Sequence, residues 1–357
     1  MKVLFVGGDF SDTPRQSGYI RKLVEQLNYL DATVHNGGSY EDLINIKDTV
    51  KNFSIVFWFA NVPNEYEKIV SEIKKLNPKC ILITSKNNIS NKYTYHAIAG
   101  RMLSVKANLC LIFTKDENDL CGTLIDPLVN AFCLEDHSIA NVAKVIKNRV
   151  DNLTSYTRVE SFKIRGSYTV PDDKEFFEIV RGYANTFHEL IHAENTERFL
   201  GNLSFRCEHG FPSMRSEDSI YVSRRNVDKR DVSTSGMVKT ILLENGVGYY
   251  GDSKPSVDTP IQLNLYKYYQ NIRYMIHSHT YIEGAPYTTK KIPCGAMEEV
   301  PEIINMFPDH NFSMIKINLY GHGSIIMARE LESLRNVKYI GRSVPEILQP
   351  KEKKRYK

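Results

Sequence analysis

The chain has 357 residues, of which 42% are hydrophobic and 25% charged, the composition of an ordinary globular protein at a length that favours two domains. No apolar run approaches the ~18 residues that a membrane span needs, so the sequence predicts no membrane segment. The net charge of +4 argues against a nucleic-acid partner, because it is small and much of it lies in the terminal run Lys351–Lys357.

The N-terminus and the cysteine spacing favour a cytoplasmic protein. The apolar stretch Val3–Val6 is too short for a signal peptide and is typical of a first strand. The cysteines form no CxxC pair or metal-binding spacing, which favours reduced thiols over a disulfide framework. They are Cys80, Cys110, Cys121, Cys133, Cys207 and Cys294.

The first 150 residues alternate short apolar runs with amphipathic segments, which predicts a doubly wound parallel sheet. Runs such as Ile55–Phe59 are continuously apolar, as are parallel strands buried on both faces. We therefore expect a five-stranded, flavodoxin-like or Rossmann-like α/β domain over residues 1–153. The predicted strands are Lys2–Gly7, Ala32–His35, Ser54–Phe59, Cys80–Thr84 and Asn108–Phe113. The predicted helices are Tyr19–Leu30, Tyr40–Lys51, Glu65–Leu76, Tyr93–Lys106 and Ser138–Leu153.

Ligands of such sheets bind beyond the carboxyl ends of the strands, where Gly7-Gly8-Asp9 and Ser85-Lys86-Asn87 fall. Neither segment matches a GxGxxG or Walker pattern, and a tight turn explains the glycines equally well. Residues 154–174 contain Gly166, Pro171 and many polar positions, which predicts a linker. A second domain over residues 175–335 and a basic tail over 336–357 complete the expected organisation.

Three histidines of the second domain suggest a catalytic metal site. His277-Ser278-His279 ends the apolar run Tyr274–Ile276, so strand alternation points both imidazoles to one side. His322 lies between two glycines, just after a second apolar run. Three imidazoles that leave one position open are the ligand set of catalytic zinc. A lone HxH pattern is common, however, and has weight only with its surroundings.

The surroundings resemble the class II aldolase/adducin family in four motifs that occur in family order. Gly201-Asn202-Leu203-Ser204-Phe205-Arg206 resembles the GN(I/V)S-x-R signature, and Lys254–Pro260 followed by His277–Thr280 resembles the K-P-S-S-(D/E) to H-T-H segment. Gly321-His322-Gly323 is similar to the third-histidine motif, and Ile292-Pro293-Cys294 to a segment before it. Asp258 followed by Thr-Pro is most similar to the L-ribulose-5-phosphate 4-epimerases of the family.

The resemblance implies a C-terminal α/β domain that acts on a sugar phosphate through a metal-stabilised enediolate. It implies that His277, His279 and His322 hold Zn²⁺, Mn²⁺ or another divalent metal. Asp258 matches the acidic position near the metal, as fourth ligand or general base, although it is also placed to cap the following helix. Asn202 and Ser256 match positions that bind the substrate phosphate. The resemblance does not extend to residues 1–150.

The chain departs from the family at the phosphate loop and after the HxH pair. Ser223-Arg224-Arg225-Asn226 replaces the family's phosphate loop, and the guanidinium groups of Arg224 and Arg225 would bind a phosphate in its place. Only twelve residues separate His279 from Ile292, and the acid/base aspartate of the epimerases has no counterpart there. The local candidates for proton transfer are Tyr281, Glu283 and Tyr287. Aldol cleavage, epimerisation and dehydration all remain open.

Two other functions fit parts of the sequence. His188-Glu189-Leu190-Ile191-His192 spells the HExxH motif of zinc metallopeptidases, but no third ligand follows at the HxxGxxH spacing. Adducin-like relatives act as non-catalytic interaction modules, a reading that the retained histidines and acid oppose. The family resemblance also implies a homo-oligomer, with a tetramer as the expected form. A neighbouring subunit would then supply the proton donor, from a tail residue such as Tyr339.

Overall fold

The computed structural model describes residues 1–7, 14–60, 65–116, 119–191, 198–206, 219–342 and 346–347. The chain divides into two compact units, the first built from Met1–Ser155 with the short strand Glu346–Ile347 and the second from Tyr156–Arg342. Within the described residues, no helix is both long enough and apolar enough to cross a membrane.

The first unit is built on one mixed sheet. Its strands are β1 (Val3–Gly7), β2 (Ala32–Asn36), β3 (Ile55–Trp58), β4 (Ile81–Asn87), β5 (Leu109–Asp116), β6 (Asp119–Ile125) and β7 (Asn130–Asp136). Its helices are α1 (Pro14–Leu27), α2 (Tyr40–Asn45), α3 (Lys47–Val50), α4 (Tyr66–Leu76), α5 (Tyr95–Val105) and α6 (Ile139–Ser155). The parallel strands follow the order β2-β1-β3-β4-β5, which is the flavodoxin-like order. The α/β fold class predicted for this half is confirmed.

Three strands of this sheet were not predicted from the sequence. β6 and β7 extend the sheet antiparallel to β5, and Glu346–Ile347 pairs in parallel with β7. Both β6 and β7 mix polar residues with apolar ones, and their pairing shifts register, so neither forms the continuous apolar run that marks a buried parallel strand.

Helices cover both faces of the sheet in the first unit. Alternate residues of β3 enter two separate cores, with Val56 and Trp58 in one and Ile55 and Phe57 in the other. Ser85-Lys86-Asn87 form the last part of β4, and Gly7 ends β1, whereas Gly8 and Asp9 lie outside the described residues.

The second unit contains an eight-stranded sheet of order β15-β16-β13-β9-β10-β11-β12-β8 and a separate pair, β14 and β17. Its strands are β8 (Ser161–Lys163), β9 (Asn202–Phe205), β10 (Ser219–Ser223), β11 (Met237–Leu243), β12 (Gly246–Tyr249), β13 (Tyr274–Ser278), β14 (Tyr281–Ile282), β15 (Met314–Leu319), β16 (Gly323–Ala328) and β17 (Tyr339–Ile340). Helix α7 (Lys174–Leu190) packs on one face, and α8 (Thr259–Tyr268) and α9 (Glu299–Met306) pack on the other.

Segments that the sequence assigned to the linker and the tail contribute strands. β8 lies within residues 154–174 and forms the edge of the second sheet beside β12. β17 lies within residues 336–357 and pairs with β14, and its Tyr339 side chain is buried in the core under α7. Apolar residues such as Val337 give this segment core contacts that a run of like charges lacks. The basic run Lys351–Lys357 lies outside the described residues.

Candidate metal centre

The register of the second sheet brings the predicted site residues to one end of β13. His277 lies opposite Asn202 of β9 on one side and Ile325 of β16 on the other. His322 lies in the turn that joins β15 to β16, so the chain returns it to the same end of β13. Residues far apart in sequence therefore meet, because the C-terminal end of β13 lies beside the N-terminal ends of its antiparallel neighbours β9 and β16.

The three histidines form one buried cluster. The ring centroids of His277, His279 and His322 lie 4.7 to 5.1 Å apart. Each side chain offers one nitrogen, and these atoms lie within 4.8 Å of one another. All three residues are at most 6% exposed.

Each ring has one buried nitrogen without a hydrogen-bond partner in the described chain: Nε2 of His277, Nδ1 of His279 and Nε2 of His322. An unpaired buried polar atom costs free energy, and three at one point is more than ordinary packing tolerates. A divalent cation bound by these nitrogens would remove that cost. The donor set therefore fits a divalent metal.

Hydrogen bonds on the far side of two rings fix their orientation. His277 Nδ1 lies 2.9 Å from the carbonyl oxygen of Ser324, and His322 Nδ1 lies 3.0 Å from Glu299 Oε1. Because a carbonyl oxygen only accepts, Nδ1 of His277 carries the hydrogen and Nε2 keeps a free lone pair. Glu299 is 2% exposed and begins α9. Nothing in the sequence distinguished it from the adjacent Glu298.

Replacement of Glu299 by glutamine should weaken metal binding about 10- to 100-fold, the usual cost of losing an orienting partner of a histidine ligand. Chelator competition on the full chain measures this change. Glu298→Gln is the matched control, because Glu298 instead accepts from the backbone of Thr157. Equal metal affinity in the two variants would contradict the orienting role.

Burial keeps two of the imidazoles neutral. Desolvation, with a smaller contribution from His322, lowers the pKa of His277 to about 4. Desolvation and the two other rings lower the pKa of His279 well below its ordinary value. Burial alone would lower the pKa of His322 too, but the hydrogen-bonded Glu299 carboxylate outweighs it and raises that pKa. Neutral imidazoles are the form that binds a metal.

The metal-free protein should lose stability as the pH falls from about 6.5 to about 4. In this window the unfolded chain protonates His277 while the folded chain does not. The free energy of unfolding therefore decreases as the pH decreases. The contribution of His277 is on the order of 3 kcal/mol, since one pKa unit corresponds to about 1.4 kcal/mol. Urea unfolding at several pH values measures it. The slope should be shallower in His277→Gln, and an identical slope would refute the assignment.

Asp258 directs its carboxylate toward the histidines. It occupies the N-cap position of α8, yet its side chain makes no capping hydrogen bond. Instead Oδ2 accepts from Asn202 Nδ2 at 3.0 Å and lies 3.8 Å from His277 Nε2. Oδ1 accepts from the Cys294 thiol at 3.1 Å. The structure thus places the acidic group beside the unpaired nitrogens.

Asn202 and Ser256 form a buried network with Asp258. Asn202 Nδ2 also donates to Ser256 Oγ at 3.1 Å, and Gln262 Nε2 donates to Asn202 Oδ1. Sequence reasoning missed Gln262, although it lies one helical turn after Asp258, a spacing that shares a face.

Cys294 was also not assigned a role from the sequence. Its sulfur, a carboxylate oxygen of Asp258 and a ring nitrogen of His322 lie within 4.8 Å of one another, close enough to hold one metal ion. Burial and the neighbouring carboxylate raise the pKa of the thiol well above its ordinary value, so it stays protonated.

The predicted proton-transfer residues lie in different surroundings. Tyr281 is 4% exposed, its hydroxyl accepts from the backbone N–H of Gly321 at 3.0 Å, and its ring packs edge-on against Tyr287 at 4.9 Å. This bond supports the turn that carries His322. Glu283 is exposed and pairs with Lys338 at 2.8 Å. Tyr339 packs against Tyr183 and Phe187 of its own chain.

Arg224 and Arg225 have exposed side chains at the end of β10. The Arg225 guanidinium donates from Nε to the carbonyl oxygen of Pro255 at 3.0 Å, beside Ser256. The geometry therefore places the two arginines at the edge of the buried network and not within it.

The HExxH motif is not assembled into a metal site in the described chain. His188 lies in the last turn of α7, which ends at Leu190, and His192 lies outside the described residues. The described groups of His, Cys, Asp and Glu that could hold a metal do not include His188.

Close backbone approach explains two glycines of the motifs. A side chain at Gly201, which has a φ of 79°, would meet the carbonyl oxygen of His277 at 2.5 Å. A side chain at Gly323 would meet that of Ser278 at 2.0 Å. Both contacts are too short for any Cβ, so glycine is required for the strands to close around the histidines.

Residues 181–333 match the family model of the class II aldolase and adducin N-terminal domain. The second unit is therefore a class II aldolase-like domain over these residues, as its motifs predicted. No curated protein matches the chain.

Solved structures show remote similarity. A sugar-phosphate aldolase from Thermotoga maritima is 13% identical, with 44% of this chain and 90% of that chain covered and a TM-score of 0.31. A putative aldolase/epimerase/decarboxylase from Klebsiella pneumoniae is 12% identical, covering 46% and 81%, with a TM-score of 0.32. A DNA/pantothenate metabolism flavoprotein from Streptococcus pneumoniae is 10% identical, covering 43% and 99%, with a TM-score of 0.34.

Proposed function

We propose that the second unit is a divalent-metal-dependent aldolase or epimerase that acts on a sugar phosphate. The observation that supports this most is the convergence of three unpaired, buried imidazole nitrogens beside the Asp258 carboxylate. A domain that served only as an interaction module would have no need for this buried arrangement, which costs stability without a metal.

His277, His279 and His322 would hold the metal, with Zn²⁺ or Mn²⁺ as the expected ion. When bound, the ion supplies Lewis-acid stabilisation of the negative charge that an enediolate develops on the sugar oxygens. Asp258 acts as the general base, because its carboxylate lies beside the cluster and two donors hold it in place. The thiol of Cys294 and the amide of Asn202 orient that carboxylate.

The substrate phosphate binds near Asn202 and Ser256, with Arg224 and Arg225 at the edge of the site. Proton transfer to the product is assigned to Tyr281, Glu283 or Tyr287, or to a residue from a neighbouring subunit. We accordingly propose a homo-oligomer, with a tetramer as the expected form, and light scattering of the full chain tests it. The five described cysteines are free thiols, which fits a cytoplasmic location.

Elemental analysis of the purified full chain, followed by a turnover screen of pentulose and hexulose phosphates, tests the proposed function. The expected result is a divalent metal near one ion per chain and turnover that a chelator abolishes. Bound metal without turnover of any sugar phosphate would favour an adducin-like module instead. A protein without bound metal after loading would contradict the metal site itself.

A further inference from the structure

Lys229 is a buried cation that the family motifs do not account for. It begins a short 3-10 turn, Lys229–Asp231, and is 7% exposed. Its Nζ donates to the carbonyl oxygen of Phe199 at 2.9 Å, and within the described chain no carboxylate lies close enough to form an ion pair with it. An ammonium group has three donors, and a buried charge without a partner is costly. Such a group is a candidate for binding a ligand of opposite charge.

The loop that carries Lys229 contacts two segments that lead to the predicted phosphate-binding residues. Asn226 Oδ1 accepts from the backbone N–H of Phe199 at 2.9 Å, so the loop holds Phe199 through both its N–H and its carbonyl. Asn202 lies three residues after Phe199 in the sequence. At its start, the same loop accepts from the N–H of Ser256 through the carbonyl of Ser223 at 3.2 Å. The two predicted phosphate-binding residues thus lie on segments that this loop contacts directly.

The electrostatics of the site agree with this location. Burial lowers the pKa of Lys229 to about 7, against the opposing effect of Asp228 and Asp258. The charge of Lys229 in turn contributes to the lowered pKa of His277 and of His279. An anion that enters beside Lys229 would restore its charge and supply the missing partner.

We propose that Lys229 is the buried cation that binds the phosphate group of the substrate at this metal centre, together with Asn202 and Ser256. This inference rests on the proposed function. Arg224 and Arg225 are exposed, so their charges are screened by water, whereas a cation in a buried site attracts an anion more strongly. On this proposal, the phosphate end of the substrate reaches the loop between β10 and β11.

Calorimetric titration of the metal-loaded full chain with glycerol 3-phosphate, an unreactive phosphate ester, tests this role, with glycerol as the uncharged comparison. Lys229→Gln removes the charge but keeps a donor for the Phe199 carbonyl, and Lys229→Arg keeps the charge. We expect Lys229→Gln to bind glycerol 3-phosphate about tenfold to a hundredfold more weakly, as loss of a charge-assisted hydrogen bond implies. Lys229→Arg should stay within a few-fold of the parent. Arg224→Gln tests the competing exposed cation, and Arg230→Gln is the control, because Arg230 is exposed on the same loop and pairs with Asp228.

Metal content, measured in parallel, separates this inference from the proposed function. Parent-like affinity in a Lys229→Gln protein that retains its metal would overturn the role of Lys229 and leave the metal centre intact. A larger loss in Arg224→Gln than in Lys229→Gln would assign the phosphate to the exposed arginine instead. Failure of the metal-loaded parent to bind glycerol 3-phosphate better than glycerol would also overturn the inference. If Lys229→Gln does not fold, loss of binding in Lys229→Arg would refute a role based on charge.

Discussion

Replacing His277 with alanine should remove the bound metal. Removing one of three ligands leaves two imidazoles, and no other described histidine lies close enough to complete the site. We expect a loss of metal affinity of at least about 100-fold, because outer partners of such ligands alone contribute 10- to 100-fold. His322→Ala should behave in the same way. Elemental analysis after dialysis against a weak chelator measures the metal that remains.

Two other histidines provide controls for this experiment. His310 is exposed and contacts Tyr268, so His310→Ala should leave the metal content unchanged. His188→Ala tests the HExxH motif directly. If His188→Ala lost the metal and His277→Ala retained it, the metallopeptidase hypothesis would replace the aldolase one.

Asp258→Asn should abolish most turnover while the metal remains bound. Asparagine preserves the size of the side chain and can still accept from Asn202, but it cannot take a proton. General-base catalysis contributes about 10²- to 10⁴-fold, and we expect a decrease in kcat of that size. The decrease is measured on whichever sugar phosphate the parent turns over, with metal content determined in the same samples.

The outcome separates the two roles that the sequence left open for Asp258. Loss of metal together with activity would make Asp258 a ligand and not the base. Asp252→Asn is a suitable control, since Asp252 is exposed and pairs with Lys163. The unfolding midpoint, measured in the same samples, reports the loss of one of the two hydrogen bonds that the carboxylate accepts from Asn202 and Cys294.

The sequence predicted those features that depend on local pattern. Four of the five parallel strands of the first unit, β1, β3, β4 and β5, contain continuous apolar runs that are buried, whereas β2 is an exposed edge strand. The three histidines could be found because two of them end one strand and the third follows another. Their meeting in space was implied by the family resemblance, and the register of β13 with β9 and β16 supplies the physical reason.

Features that depend on long-range packing could not be predicted. Glu298 and Glu299 are adjacent and chemically identical in sequence, and only the placement of α9 buries one against His322. Cys294 and Lys229 gain their significance from their contacts with Asp258 and Phe199, which no local pattern encodes. The strand at Tyr339 was missed because the basic end of the chain dominates that region in composition.

The two close backbone contacts at Gly201 and Gly323 affect how catalytic and non-catalytic relatives of this domain can be distinguished from their sequences. Both glycines are demanded by the approach of strands, whatever chemistry the pocket performs. A relative that kept the fold without catalysis would still need both glycines. The positions of the three histidines and of Asp258 could then be occupied by other residues. The glycine motifs therefore indicate the fold of a relative. Its catalytic activity has to be judged from the histidines and the acidic residue of the site.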